Sequence, residues 1–449
     1  MMRSFESDAG RASGARRGET SMKRFRIAGV LVAVAGLALM ATPAALSAPA
    51  KQLKILGHFN PGVGANADVV AHRGHAYLGS WIGNDCMSNG VRILDLKNPR
   101  SPQHVGTFAD AASEPDLAGT WTEKIGVRHV RSKAFKGDLA VTSVQACTTS
   151  SSAVRGFALY DVTDPANPQR LSLVETEPQT RGSHEIYMET RGNKAYVYTA
   201  VISSEHLTSP DGVTPGNPDF RIYDVSDPRN PVQVGGWGAW AELGVHPMSG
   251  PPGLNRNHVH SVIVDGNARR AYLSYWDLGT VILDITDPTD PKFLGRTSFQ
   301  PGEVGNAHSA WTAKGGKILV QTHESFGAPG SPNVGVPSIW DISNPMSPIR
   351  LSTFSRPEFI DLGETVHDPK VRGNTLYLSW YQEGVVKLDI SRPASPKLLS
   401  QTVPPAYFTN PDWSLCVGPP PCSSIWGVYI HRNYVLASDE AQGLWILKR

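Results

Sequence analysis

Val281-Ile-Leu-Asp-Ile-Thr-Asp-Pro-Thr-Asp-Pro291 is the stretch that decides the fold. Its first five residues are apolar and mostly β-branched around one aspartate, the composition of a strand. Asp287-Pro288 ends that strand, because proline removes a ladder donor and fixes φ. Pro291 then stiffens the turn. The phrase occurs five more times, as Ile93–Pro102, Leu159–Pro168, Ile222–Pro231, Ile339–Pro348 and Lys387–Pro396. The anchor aspartates, Asp95, Asp161, Asp224, Asp284, Asp341 and Asp389, lie 48 to 66 residues apart. That period fits one four-stranded blade plus variable loops.

A short strand follows each phrase, as in Pro291-Lys-Phe-Leu-Gly-Arg-Thr297, and two precede it. In the fourth unit these are Val259 to Val264 and Ala271 to Tyr275, joined at Gly266-Asn267. Glycine-asparagine at a tight bend is hairpin chemistry. Each unit is therefore a meander of strands A to D, with D beyond the proline turn at the outer edge. At the C-terminus, Ser424 to Ile430, Tyr434 to Ala437 and Gly443 to Leu447 supply strands A to C with no D. Gln52 to Phe59 is a spare D. Joining the two predicts an all-β, seven-bladed β-propeller whose N-terminal strand completes the C-terminal blade, leaving no open edge. The recurring phrase resembles the LVIVD-repeat family of secreted bacterial propeller proteins. The resemblance spans nearly all of residues 51–449 and implies a propeller, but no reaction.

Residues 1–50 read as a targeting region. Met22-Lys23-Arg24-Phe25-Arg26 is basic, Ile27 to Ala41 is apolar, and Ala48-Pro49-Ala50 is a small-residue cleavage site before Lys51. Residues 1–21 form a long polar leader or a misassigned start. The alternative is a retained anchor, for which the apolar run is barely long enough. The expected location is extracytoplasmic (secreted, periplasmic or cell-surface), with 51–449 as one domain and no membrane span after cleavage. Charged residues make up 18% of the chain and the net charge is +2, which argues against a nucleic-acid partner. The expected partner is a small ligand or an extracellular or cell-surface protein. Export permits disulfides among the four cysteines, expected as Cys86–Cys147 and Cys416–Cys422.

Aligning strands A and B of the seven blades puts Ala67, His129, His184, His260, His308, His367 and Trp426 in one register. His129, His184 and His260 each precede an alanine by eleven residues, at Ala140, Ala195 and Ala271. Strand A is innermost in a propeller, so the five histidines are expected at one mouth of the central channel. Imidazole is the common nitrogen ligand of copper, iron and zinc. Glu185, Asp368 and His258 are candidates to orient those ligands. Trp81, Trp276, Trp380, Tyr381, His323, Glu324, Asp277 and Glu383 fall in B-to-C loops on the same face, as ligand-pocket walls or inter-blade packing. The anchor aspartates read as turn caps. Two functions are open: a binding or scaffold propeller, and a metal-dependent, redox-type enzyme using the histidines. A histidine cluster can also serve only as a hydrogen-bonded channel lining.

Overall fold

Seven antiparallel sheets succeed one another along the chain. Blade four is the plainest, with Ser261–Val264, Arg270–Ser274, Thr280–Asp284 and Lys292–Arg296 paired in sequence order. The computed structural model describes residues 51–449 except 63, 82–88, 148–151, 251–254, 301–302, 304, 328–332, 362 and 409–420. Blade two adds the short strand Thr120–Trp121 to its second strand. Blade seven is built from Ile425–His431, Tyr434–Asp439 and Gly443–Lys448. Its outer strand is Ile55–Phe59, with Ile55 opposite Leu447 and Phe59 opposite Leu444. The ring is thus closed by the N-terminal strand, as the missing D strand predicted.

The recurring phrase has two jobs. The side chain of each anchor aspartate accepts the backbone N–H two residues on, at 2.7 to 2.9 Å: Asp95 from Lys97, Asp161 from Thr163, Asp224 from Ser226, Asp284 from Thr286, Asp341 from Ser343 and Asp389 from Ser391. These are Asx-type turn caps. The first proline of the phrase then meets strand D of the preceding blade. Ser172 Oγ donates to the Pro228 carbonyl at 2.7 Å and Ser352 Oγ to that of Pro393 at 2.6 Å. Elsewhere the contact position is glycine. A Cβ on Gly235 would collide with the carbonyl of Pro288, and one on Gly295 with that of Pro345. Gly57 and Gly106 face Pro99 and Pro165 in the same way. Blade seven has no phrase. There Ser400 of blade six bridges to Lys51, and Gln401 N donates to the Lys51 carbonyl at 3.1 Å.

The hydrophobic core lies between blades. Tyr198, Phe220, Ile222 and Trp237 of blade three pack with Val262, Val281 and Leu283 of blade four. Each buried side chain of this size contributes about 1.5–3 kcal/mol relative to exposure. Among the described residues, no helix is long and apolar enough to cross a membrane. This packing leaves the A strands facing a central channel, and their first residues meet at one mouth.

Candidate functional site

Four imidazoles form a crescent at that mouth. Ring centroids are 4.5 Å apart for His184 and His260, 4.0 Å for His260 and His308, and 4.5 Å for His308 and His367. Trp426 extends it at 4.3 Å from His367, and Trp81 follows at 4.9 Å from Trp426. The crescent repeats because the blades do. His260 Nδ1 faces the His308 carbonyl at 2.9 Å, His308 Nδ1 the His367 carbonyl at 3.3 Å, and His367 Nδ1 the Trp426 carbonyl at 2.6 Å. Each side chain thus reaches the backbone of the next blade at the equivalent position.

A carbonyl can only accept, so Nδ1 of His260 and His367 carries the proton and Nε2 presents a lone pair; His308 Nδ1 also meets the Ser309 hydroxyl, at 2.9 Å. Burial holds all of these rings neutral. It pushes His184 down to about 3, His260 and His367 well below the usual histidine value, and His308 below it. Neutral imidazole with a committed Nδ1–H is the ligating form.

Glu324 joins the crescent from the B-to-C bend of blade five. Its Oε2 lies 3.4 Å from His308 Nε2. Ligand atoms of His308, Glu324 and His367 all fall within 4.8 Å of one another. The Tyr381 hydroxyl donates to Glu324 Oε1 and so aims the carboxylate. Tyr381 and Trp276 both occupy the left-handed region, with φ of 33° and 41°. Such a conformation is costly for aromatic residues and marks bends that the surroundings enforce. Here the enforcement is a backbone bridge to the next blade, Trp276 to Ala307 and Tyr381 to Ile425. The result sets Trp276 4.4 Å from His260 and Tyr381 5.4 Å from His367.

One residue further along strand A the side chains turn the other way. Lys124 lies 3.1 Å from Glu185, 3.3 Å from Asp68 and 3.9 Å from Asp368. Asp368 also holds Lys370. Burial opposes the Lys124 charge, yet the three carboxylates hold its pKa well above the usual lysine value. Burial, partly offset by Lys124, raises Glu185 to about 7. Beyond this waist lies a cavity of about 300 Å³, with Tyr187, Trp311 and Tyr429 on its walls and Arg128 and Lys370 among its charges.

The register of blade two needs correction. His129 is not with the other four histidines; it pairs across its hairpin with Asp138, Nδ1 to Oδ1 at 2.7 Å. Glu123 stands in its place, with Oε2 3.2 Å from His184 Nδ1. The A-to-B hairpin of blade two is longer than that of blade three. Between the paired residues His129 and Asp138 lie eight residues, against four between Thr190 and Ala195. Counting back from Ala140 therefore lands past the mouth. The pair Glu123-Lys124 before Ile125 repeats His184-Glu185 and His367-Asp368 in kind and was the available signal.

The remaining candidates divide. Glu185 and Asp368 face Lys124 at the waist rather than the imidazole Nε2 atoms. His258 is buried beside Trp276, with ring centroids 6.5 Å apart. Asp277 accepts the N–H groups of Arg256 and Asn306 at 2.9 and 3.0 Å and so fastens loops. Trp380 packs on Phe359 at 4.6 Å, Glu383 accepts from Gln401 at 2.6 Å, and His323 Nε2 contacts Ser338 Oγ at 3.0 Å. Cys86 and Cys416 lie outside the described residues, so each expected disulfide has one described member, Cys147 or Cys422.

Comparison with known proteins agrees with the architecture. The β-propeller domain of Cps50 (Swd1) from Myceliophteria thermophila is 9% identical, with 88% of this chain and 98% of that one covered and a TM-score of 0.54. The computationally designed protein Ika8 is also 9% identical, with coverage of 88% and 100% and a TM-score of 0.49. At this identity the likeness to the first concerns fold alone. No curated protein matches the sequence. The LVIVD repeat model matches residues 258–298 and 365–402, within blades four and six.

Proposed function

We propose that this propeller, a carrier of LVIVD repeats, is an exported binding protein that holds a divalent transition metal at the channel mouth. His308, His367 and Glu324 are the ligands. The observation that carries this is the cluster's geometry: three ligand atoms within 4.8 Å, two of them imidazole nitrogens, with His367 Nδ1 committed to the Trp426 carbonyl so that its Nε2 is free. Two histidines and one carboxylate suit zinc or iron(II), and copper accepts the imidazoles. Tyr381 acts as a positioning residue through Glu324. Three protein ligands leave further coordination positions for a small ligand, and that openness favours a second reading, a metal-dependent redox enzyme.

The test is metal content of the purified mature protein after separate reconstitution with zinc, copper and iron(II). An ion that is retained in the wild type and lost in His367→Ala and Glu324→Gln is expected. No bound ion, or a metal content unchanged by both substitutions, would refute the assignment. Turnover by the loaded protein, abolished with the ion, would select the enzyme. Export rests on the basic, apolar and small-residue order of residues 22–50. N-terminal sequencing of protein secreted by a bacterial host is expected to begin at or near Lys51; an uncleaved membrane-bound product would count against it.

A further inference from the structure

The other end of the crescent presents a separate problem. His184 Nε2 and His260 Nε2 face each other at 2.8 Å. His184 Nδ1 meets Gln145 Oε1 at 2.8 Å and Glu123 Oε2 at 3.2 Å; burial, reinforced by Glu185, pushes the Glu123 carboxyl well above its usual value. The Gln145 amide nitrogen donates to Glu123 Oε2 at 3.2 Å, which sets the orientation of the amide. With the Glu123 carboxylate ionised, as a cation bound beside it would hold it, His184 Nδ1 carries that ring's one proton. His260 Nδ1 carries its own, because its partner is the His308 carbonyl. Neither ring then has a proton left for Nε2, so the lone pair of half-buried His184 opposes that of buried His260.

Opposed lone pairs at this distance repel, and a cation between them removes the repulsion. Two nitrogens bound about 2.0 Å from one ion, at a right angle, lie about 2.8 Å apart; a tetrahedral angle would spread them to about 3.3 Å. A right angle between neighbouring nitrogen ligands is the preference of copper(II) and nickel(II). The geometry points to a second metal site, in which His184 and His260 bind a tetragonal divalent ion, copper(II) first, through their Nε2 atoms. Gln145 and Glu123 are then the outer hydrogen-bond partners that metal-bound imidazoles need. This site shares the crescent with the site at His308, His367 and Glu324 but uses other nitrogens, so the two stand or fall separately.

The experiment titrates copper(II) into the metal-stripped, full mature chain. It counts bound ions by mass spectrometry and ligand nitrogens by electron paramagnetic resonance. Two equivalents are expected in the wild type. One should be lost in His184→Ala and His260→Ala, and the other in His367→Ala and Glu324→Gln. In the Glu324→Gln protein the remaining copper should show splitting from two imidazole nitrogens, a readout that needs neither His184 nor His260 replaced. A single ion kept by His184→Ala and lost by His367→Ala overturns the second site alone; His184 Nε2 then donates a proton to His260 with the Gln145 amide reversed. A single ion with the opposite dependence upholds this site and overturns the other. One ion lost in every variant means a single shared site and overturns the assignment of two. No bound ion overturns both.

Discussion

Replacing Lys124 with methionine tests whether the waist of the channel is held by charge. The Lys124 ammonium, its side chain 12% exposed, sits among Glu185 at 3.1 Å, Asp68 at 3.3 Å and Asp368 at 3.9 Å. Methionine keeps most of the stem and removes only the charge. Removing one partner of a buried ion cluster costs about 3–5 kcal/mol, because the charges left behind are uncompensated. Asp368 retains Lys370, so the loss falls on Asp68 and Glu185. The lower end, about 3 kcal/mol, is therefore expected. With an unfolding entropy of about 2.1 cal/mol/K per residue, a domain of roughly 400 residues should melt about 4 °C lower. Scanning calorimetry at neutral pH measures this. Adding Asp68→Asn should recover part of the loss, since one of the stranded charges goes with it. A Lys124→Met protein that melts within a degree of wild type, or a double variant no better than the single, would show that water already screens these groups.

Three further expectations concern other parts of the ring. Deleting residues 51–59 strips the outer strand from Gly443–Lys448 and should lower the melting temperature by several degrees; an unchanged transition would mean that closure adds nothing. Burial, reinforced by Glu205, raises the Asp219 carboxyl to about 8. A folded pKa above the unfolded value of about 3.9 gives stability that is complete below pH 4 and is lost toward pH 8, at up to about 1.4 kcal/mol per unit. Asp219→Asn abolishes that slope, so its urea midpoint should gain on wild type from pH 5 to pH 8; a constant offset would contradict this. Non-reducing peptide mapping is expected to link Cys86 to Cys147 and Cys416 to Cys422, and a Cys86–Cys416 peptide would overturn the pairing.

The fold was legible because one turn is repeated with its chemistry intact. The aspartate cap and the proline at its end must be kept, since one closes the turn and the other touches the neighbouring blade. His184, His260, His308 and His367 were legible through the same periodicity, as equal distances from strand B landmarks. Blade two broke that rule because a register count assumes equal hairpins, and its hairpin is longer. Lys124 was hidden for a different reason. Its role depends on three carboxylates from three other blades, and no local spacing records a meeting across a channel. Glu324 lay in plain sight beside His323, but only the bend of blade five shows which of the two reaches the crescent.

Ile55 finds its partner at Leu447, 392 positions later. Every other blade is completed by strands of its own stretch of chain, so each can form from near neighbours. The cost of bringing distant ends together grows only as the logarithm of the loop, about (3/2)RT ln n, so the closing step gives up only about 2 kcal/mol more than a blade-sized loop. Time is the heavier burden, because distant pairings form slowly. Until residues 443–448 arrive, the ring is an open arc with a bare edge at either end. Residues 55–59 of a second molecule carry the same hydrogen-bonding groups and can occupy that edge equally well. Concentration during refolding then selects between monomers closed on themselves and exchanged dimers, with the covalent sequence unchanged.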